Sequence, residues 1–253
     1  MSVHEGLRDR ATTERGAPRS AAGPLAAVRE ALAPVLSQGP LDVLDVGGGT
    51  GHYAVPLAAA GHRVTVVDAS PDALAMLERR AAEAGVSVRG VQGDAADVAA
   101  LVGPDAADLV LCHSVLEYLD DVAAVVAALV AVTRPGGTVS VLVPGALAAV
   151  VHRAAAGQFA EALKALSAAE GGSGQGRAPS RRFTRAALLG LADAAGLAEP
   201  RIHGVRVFTD LVAAPDTDPR AAEALRALDE AAAVHPVLAD LAAQLHLTAV
   251  RPG

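Results

Sequence analysis

Cysteine is nearly absent: Cys112 stands alone in 253 residues, which rules out an internal disulfide and any cysteine-built zinc cluster. Aromatic residues make up only 2% of the chain, with no tryptophan, so base-stacking platforms and aromatic cages for cations are scarce. Lysine is as rare as cysteine. Lys164 is the only one, and the positive charge is otherwise arginine. The net charge of -7 argues against a generally basic nucleic-acid binder, although a local arginine patch can still serve that purpose. No uninterrupted apolar run is long enough to span a bilayer, and the first residues lack the apolar core of a secretory signal. The expectation is a soluble cytoplasmic protein without a membrane partner. His152, His203, His235 and His246 share no metal-like spacing, so no metal is expected.

What the chain does have is 52% hydrophobic residues, much of it alanine, arranged in alternating strand and helix patterns. Residues 1–23 are polar, arginine-rich and unpatterned, and read as a flexible arm. Pro24 opens a helix with Leu25, Val28, Leu32 and Leu36 on one face, ended by Gly39-Pro40. Strands are expected at 41–46, 63–68, 86–91, 107–112 and 138–143. Helices are expected at 50–60, from Ser70-Pro71 to Gly85, and at 122–133. Beyond Pro144 come a long alanine-rich helical stretch at 146–170, a glycine- and serine-containing loop at 171–180 and a helix capped by Thr184. Two further strands, 201–208 and 246–251, flank a helix near 221–233. The alternation implies an α/β fold: a Rossmann-like, mostly parallel sheet of about seven strands with helices on both faces. Residues 24–253 read as one domain with a helical insertion around 145–182, between strands five and six.

The chemistry is expected where the first strand runs into Asp45-Val46-Gly47-Gly48-Gly49-Thr50-Gly51, because open α/β sheets bind ligands at the carboxyl ends of their strands. A dinucleotide fingerprint needs a third glycine or alanine where His52 stands, and a P-loop needs a Gly-Lys-Ser/Thr that is missing. Asp68 at the end of the second strand can accept both hydroxyls of a ribose, and would repel a terminal phosphate there. Asp94 follows the third strand in the same way. A phosphate-free nucleoside ligand fits this set.

These residues, with the Arg134-Pro135-Gly136-Gly137 turn, resemble those of the class I S-adenosylmethionine-dependent methyltransferases. The resemblance implies S-adenosyl-L-methionine as cofactor. It also implies a cofactor site of Asp45, Gly47, Gly48, Gly49, Gly51, Asp68, Ala69, Asp94, Ala95 and His113, with Arg15 of the arm gripping the methionine carboxylate. The blocks His113-Ser114-Val115-Leu116-Glu117-Tyr118-Leu119-Asp120, Gly204 to Phe208 and Leu245 to Ala249 are similar to the bacterial tRNA 5-carboxymethoxyuridine methyltransferases, which methylate a carboxylate on a modified wobble uridine. The chain differs from that family in carrying Pro144-Gly145 where an aromatic–asparagine pair stands.

Acceptor residues follow from the reaction. A carboxylate is already a nucleophile at neutral pH and needs a holder, for which Arg206 suits. An amine or hydroxyl needs a base, for which His113 is the first candidate, although it can equally cap the strand end through a backbone bond. Glu117 and Tyr118 complete the expected acceptor set; Glu117 also reads as a solvated helix residue, and Tyr118 as packing on the adenine face or as core. Arg206 also reads as a surface partner of Asp210 or Glu199, Cys112 as a core filler, and the Arg177–Arg185 cluster as a solvated loop or an RNA contact. Acceptors of two kinds stay open, tRNA and a small molecule taking the methyl on oxygen or nitrogen. A non-catalytic S-adenosylmethionine-binding module and a reductase are the readings of other classes.

Overall fold

The computed structural model describes residues 24–170, 181–212 and 218–253. Its elements run α1 (Pro24–Leu36), β1 (Asp42–Val46), α2 (Ala54–Ala59), β2 (Arg63–Asp68), α3 (Pro71–Glu83), β3 (Arg89–Gln92), α4 (Val98–Val102), β4 (Ala107–His113), α5 (Val122–Val132), β5 (Thr133–Pro144), α6 (Ala146–Ala155), α7 (Phe159–Glu170), α8 (Arg185–Ala194), β6 (Ala198–Val205), α9 (Pro219–Ala233) and β7 (Gln244–Val250). The seven strands order as β3-β2-β1-β4-β5-β7-β6; β7 is antiparallel to both its neighbours and the rest are parallel. Chain order reverses between β1 and β4, which opens the crevice at their carboxyl ends.

β4 explains why the sheet sits in the middle. Leu109 and Leu111 face α1, α2 and α3 with Val28, Leu32 and Leu77, while Val110 and Cys112 face α5 and α8 with Leu129 and Leu188. A strand buried on both faces reads as a continuous apolar run rather than an alternating one. Cys112 is a core filler, as its place in that run implied. At the amino end of the sheet, Arg134 ties three strands together. Its Nη1 bonds Asp108 Oδ1 at 2.7 Å and Asp42 Oδ2 at 2.9 Å, and Asp108 Oδ2 accepts from the Asp42 amide at 2.8 Å. Residues 134–137, expected as a turn, are instead the irregular start of β5, where the pairing to β4 shifts between Ala107–Thr133 and Leu109–Thr138, and they are anchored far from the carboxyl-end crevice.

Several boundaries differ from the sequence reading, four of them for a backbone reason. The helix expected from Thr50 starts at Ala54, because Gly49 and Gly51 hold φ of 54° and 80° and keep the chain in turns until Tyr53. The expected third strand from Val86 pairs only from Arg89, where Thr65 of β2 begins its register. The helix expected over 146–170 is two helices, because Gly157 takes a φ of 74° and the Gln158 amide bonds back to Arg153 O. The strand expected over 201–208 runs over Ala198–Val205: Arg206 takes a φ of 59°, and the amides of Phe208 and Thr209 turn to the Asp229 carboxylate. The arm, with Arg15, and the loop 171–180, with Arg177, lie outside the described residues. Among the described residues no helix is long and apolar enough to cross a membrane.

Candidate active site

β1 delivers Asp45 and then the glycine loop. Asp45 is 1% exposed and its Oδ2 has no hydrogen-bond partner. The loop closes over it: a Cβ on Gly48 would stand 2.5 Å from that oxygen. Burial, with the nearby negative charge of Asp68, pushes the Asp45 carboxyl up to about 7. The loop needs glycine at three alternate places, since Gly47, Gly49 and Gly51 hold φ of 72°, 54° and 80°. Gly49 leaves open room above it, with only Asp68 Oδ2 within reach of a Cβ, at 3.9 Å.

Asp68 ends β2 beside the loop. Its Oδ2 accepts from the Gly49 amide at 2.8 Å and its Oδ1 from the Ser70 amide at 2.9 Å. Two amides fix the carboxylate, and about half of its four lone-pair positions stay available to a ligand. Ser70 caps α3 through the Ala73 amide with Pro71 at the first turn, so the strand end, the carboxylate and the helix start form one rigid corner. Asp94 follows β3 and caps a short turn through the Ala96 amide, with Ala95 next to it.

The other wall is β4. His113 ends it, 7% exposed, and Ser114 follows with a φ of 57°. The His113 ring does not cap the strand through a backbone bond. Its Nε2 lies 2.9 Å from Ser140 Oγ of β5, and the Tyr53 ring stands edge-on to it with centroids 4.6 Å apart. Burial lowers the imidazole to about 3, so His113 is neutral at physiological pH. Ser140 Oγ in turn lies 2.8 Å from His246 Nε2 of β7. The sequence reading missed Ser140 and set His246 aside. The available signal was a single polar side chain inside each of two apolar strands, Val139-Ser140-Val141 and Leu245-His246-Leu247.

The expected acceptor residues fall on one side of this crevice but differ in setting. Glu117 is 7% exposed with Oε2 unpaired, so it is not a solvated helix residue. Burial raises its carboxyl, with the Arg182 charge acting the other way. Tyr118 is 58% exposed and is not core. Arg206 bonds Asp210 at 3.3 Å, the surface pairing weighed from sequence, while its Nε is buried without a partner. Arg181 and Arg182 spend their hydrogen bonds on the carbonyls of Asp120 and Gly145. Among the described residues, no group of three or more metal-ligating side chains exists.

Comparison with known proteins bears on the fold that carries these residues. Residues 43–137 match the family model described as a methyltransferase domain. The tRNA 5-carboxymethoxyuridine methyltransferase of Escherichia coli is 36% identical over 121 residues, 47% of this chain and 46% of that protein. A ubiquinone biosynthesis O-methyltransferase of Methylocella silvestris is 39% identical over 110 residues, 43% of this chain and 41% of that protein. The matches span less than half the length of either relative. Among solved structures, an S-adenosylmethionine-dependent methyltransferase of Thermotoga maritima, a possible histamine N-methyltransferase, superposes with a TM-score of 0.58 at 15% identity, over 90% of this chain and 87% of that one. The magnesium protoporphyrin IX methyltransferase of Synechocystis does so with a TM-score of 0.57 at 18% identity, over 90% and 83%. Residues 43–137 thus match a methyltransferase-domain model, and the seven-stranded sheet built around them has the fold of these solved methyltransferases.

Proposed function

We propose that this chain is an S-adenosylmethionine-dependent methyltransferase that binds its cofactor across the carboxyl ends of β1, β2 and β3. The observation that carries the reading is Asp68: a carboxylate fixed by the Gly49 and Ser70 amides, with lone pairs left for a ribose diol, beside an open glycine turn. The residues fit the whole group. The open space over Gly49 admits the nucleoside, Asp94 and Ala95 stand where the base would lie, and the unpartnered Asp45 oxygen beneath Gly48 suits a nearby cation. Bound there, the cofactor supplies an electrophilic methyl on a sulfonium whose carbon–sulfur electron pair leaves with sulfur. The chain's residues orient the two reactants and exclude water.

For the acceptor, the Escherichia coli tRNA 5-carboxymethoxyuridine methyltransferase supports a carboxylate on a modified uridine in tRNA, which the buried Nε edge of Arg206 would hold. A small-molecule hydroxyl acceptor is favoured by a different observation, the neutral His113 imidazole at the carboxyl end of β4. Residues 24–253 act in this proposal as one unit, with the helical insertion that follows β5 on the acceptor side. The cytoplasm is its compartment. The deciding experiment offers labelled S-adenosylmethionine to bulk tRNA and to the low-molecular-weight fraction of a cell extract. Label in base-labile ester on tRNA supports the first acceptor, label in the small-molecule fraction the second, and no label in either refutes methyl transfer.

Asp45 adds a prediction that needs no acceptor. With its carboxyl near 7 in the free chain, much of the population carries a proton at pH 6.5. A cationic group brought close lowers that value, so binding expels the proton. Calorimetry of S-adenosylhomocysteine binding at pH 6.5, in two buffers of different ionisation heat, is expected to show net proton release of up to about one proton, fading by pH 8.5. Asp45→Asn abolishes the buffer dependence.

A further inference from the structure

Gln244 is the first residue of β7, and the antiparallel run of that strand brings it to the carboxyl-end crevice. Register sets it between Pro144, which ends β5, and Val205, which ends β6. Leu245 and Leu247 belong to the core against α5 and α8, so alternation turns Gln244 to the other face of the sheet. There its Nε2 lies 3.4 Å from Oγ of Ser114, the residue that follows β4. Gln244 is partly exposed and Ser114 exposed, and neither has a polar side-chain atom sealed away from solvent without a partner, so a ligand can reach both.

The surrounding chain is shaped to put Gln244 there. The turn Leu238–Leu241 and the residues up to Ala243 lie close over the ends of β5 and β6, and two glycines make the room. A Cβ on Gly145 would stand 2.4 Å from Ala242 O, and one on Gly204 2.8 Å from Ala239 O. Ala239 and Ala242 are fully buried, and Asp240 pairs with Arg185 of α8. The Ala243 amide bonds Arg206 O at 3.0 Å and the Gly145 amide bonds Ala243 O at 2.9 Å, so the residue before Gln244 is held from both sides. Two of the four described non-glycine residues with positive φ converge on this point: Arg206 at 59° through its carbonyl, and Ser114 at 57° through its hydroxyl. Left-handed residues with a Cβ are strained, and such strain clusters where a protein holds ligands.

A side-chain amide presents a carbonyl oxygen and an N–H side by side. The contact with Ser114 is long for a hydrogen bond, so a ligand displaces it at little cost. β5 ends in Pro144-Gly145, which carry no polar side chain, so the amide at this strand end comes from β7. Gln244 and Ser114 are both uncharged. The group that matches them is neutral and carries its own adjacent N–H and C=O.

We propose that Gln244 is a specificity-determining residue for the methyl acceptor, pairing its side-chain amide edge to edge with an amide, lactam or imide of that molecule, and that Ser114 is the positioning residue that sets the amide. Two parallel hydrogen bonds fix the plane of the acceptor beside the end of β4. A competitor without the N–H leaves the Gln244 carbonyl unpaired once water is excluded, and a site built on hydrogen bonds discriminates in this way.

This inference rests on the methyl-transfer reading, and its test separates the two. The full chain is saturated with S-adenosylhomocysteine, which keeps other nucleosides out of the cofactor site. The Gln244 side-chain NH2 signals are assigned in nitrogen-15 spectra by their loss in Gln244→Leu. Uridine, whose ring carries an imide, is expected to shift those signals, and N3-methyluridine, whose imide N–H is replaced, is expected to leave them in place. Equal shifts with both, or none with uridine, overturn the proposal. Ser114→Gly tolerates the left-handed backbone and removes only the hydroxyl. It is expected to weaken the uridine response several-fold, and an unchanged response overturns the role of Ser114. In the labelled-methyl assay, Gln244→Leu is expected to raise KM about tenfold for whichever fraction takes the label, with KM for S-adenosylmethionine unchanged. Label on bulk tRNA assigns the paired group to an RNA base, and label in the low-molecular-weight fraction to a small molecule. An unaltered acceptor KM overturns the proposal. Gln244→Glu keeps the size and loses the N–H, so it is expected to behave as Gln244→Leu does and keeps the test available if that variant does not fold. A wild type that does not bind S-adenosylhomocysteine refutes the methyltransferase reading, while the uridine shifts, recorded without it, still decide Gln244.

Discussion

Asp68→Ala lowers the affinity for S-adenosylhomocysteine by about 100-fold, with the chain still folded. The size follows from what the carboxylate does. Each hydrogen bond from a ribose hydroxyl to an ionised acceptor is worth about 1.5–3 kcal/mol, and the half-buried position of Asp68 trims both toward the lower figure. Two bonds at that lower figure, at 1.4 kcal/mol per tenfold, come to about 100-fold. Asp68 also anchors the Gly49 and Ser70 amides, so part of the loss is loop order rather than direct contact. Asp68→Asn separates the two parts. It keeps one oxygen for an amide but presents an NH2 where the other amide and the hydroxyls need an acceptor, so its loss is also large. Circular dichroism checks that the corner between β2 and α3 survives through the Ser70 cap. Unchanged affinity in Asp68→Ala overturns the ribose assignment, and with it the placement of the cofactor.

This half of the site was legible because its signals are local. Asp45, the alternate glycines and Asp68 each punctuate the end of an apolar strand, and strand ends are where an α/β sheet binds ligands. The Ser70-Pro71 start of α3 was equally plain. What the sequence concealed is of two kinds. Left-handed backbone at Gly49, Gly157 and Arg206 moved the start of α2, split the insertion helix and ended β6 early, and a hydrophobic pattern carries no record of φ. Arg206 is the instructive case: nothing in Gly204-Val205-Arg206-Val207-Phe208 marks a non-glycine residue at 59°. The second kind is register. Ser140 and His246 are 106 positions apart, and only the antiparallel pairing of β5 with β7 puts them within hydrogen-bond reach. His113 was singled out for its place at a strand end, but its partners were not.

Gly47→Ala tests whether the two walls of the crevice are one mechanical unit. Gly47 holds a φ of 72°, and its amide bonds Val67 O at 2.7 Å, which fixes the turn against β2. A left-handed alanine costs about 1–2 kcal/mol. The new methyl would also stand 2.3 Å from Val115 Cγ2, and forcing a carbon into packed space costs about 1–3 kcal/mol more. The sum, about 2–5 kcal/mol, exceeds what most single substitutions remove. Val115 is the second residue after His113 and belongs to the segment turned by Ser114, so the overlap pushes on the β4 wall as well as on the loop. The expected result is a lowered melting temperature together with weakened S-adenosylhomocysteine binding and a shifted His113 imidazole resonance. The double variant Gly47→Ala/Val115→Ala relieves the overlap but not the backbone cost. It therefore recovers part of the stability and restores the His113 resonance, while binding stays weaker than in the wild type. If Val115→Ala recovers neither, the loop and the β4 wall are independent, and the crevice is assembled from two separately stable halves rather than one.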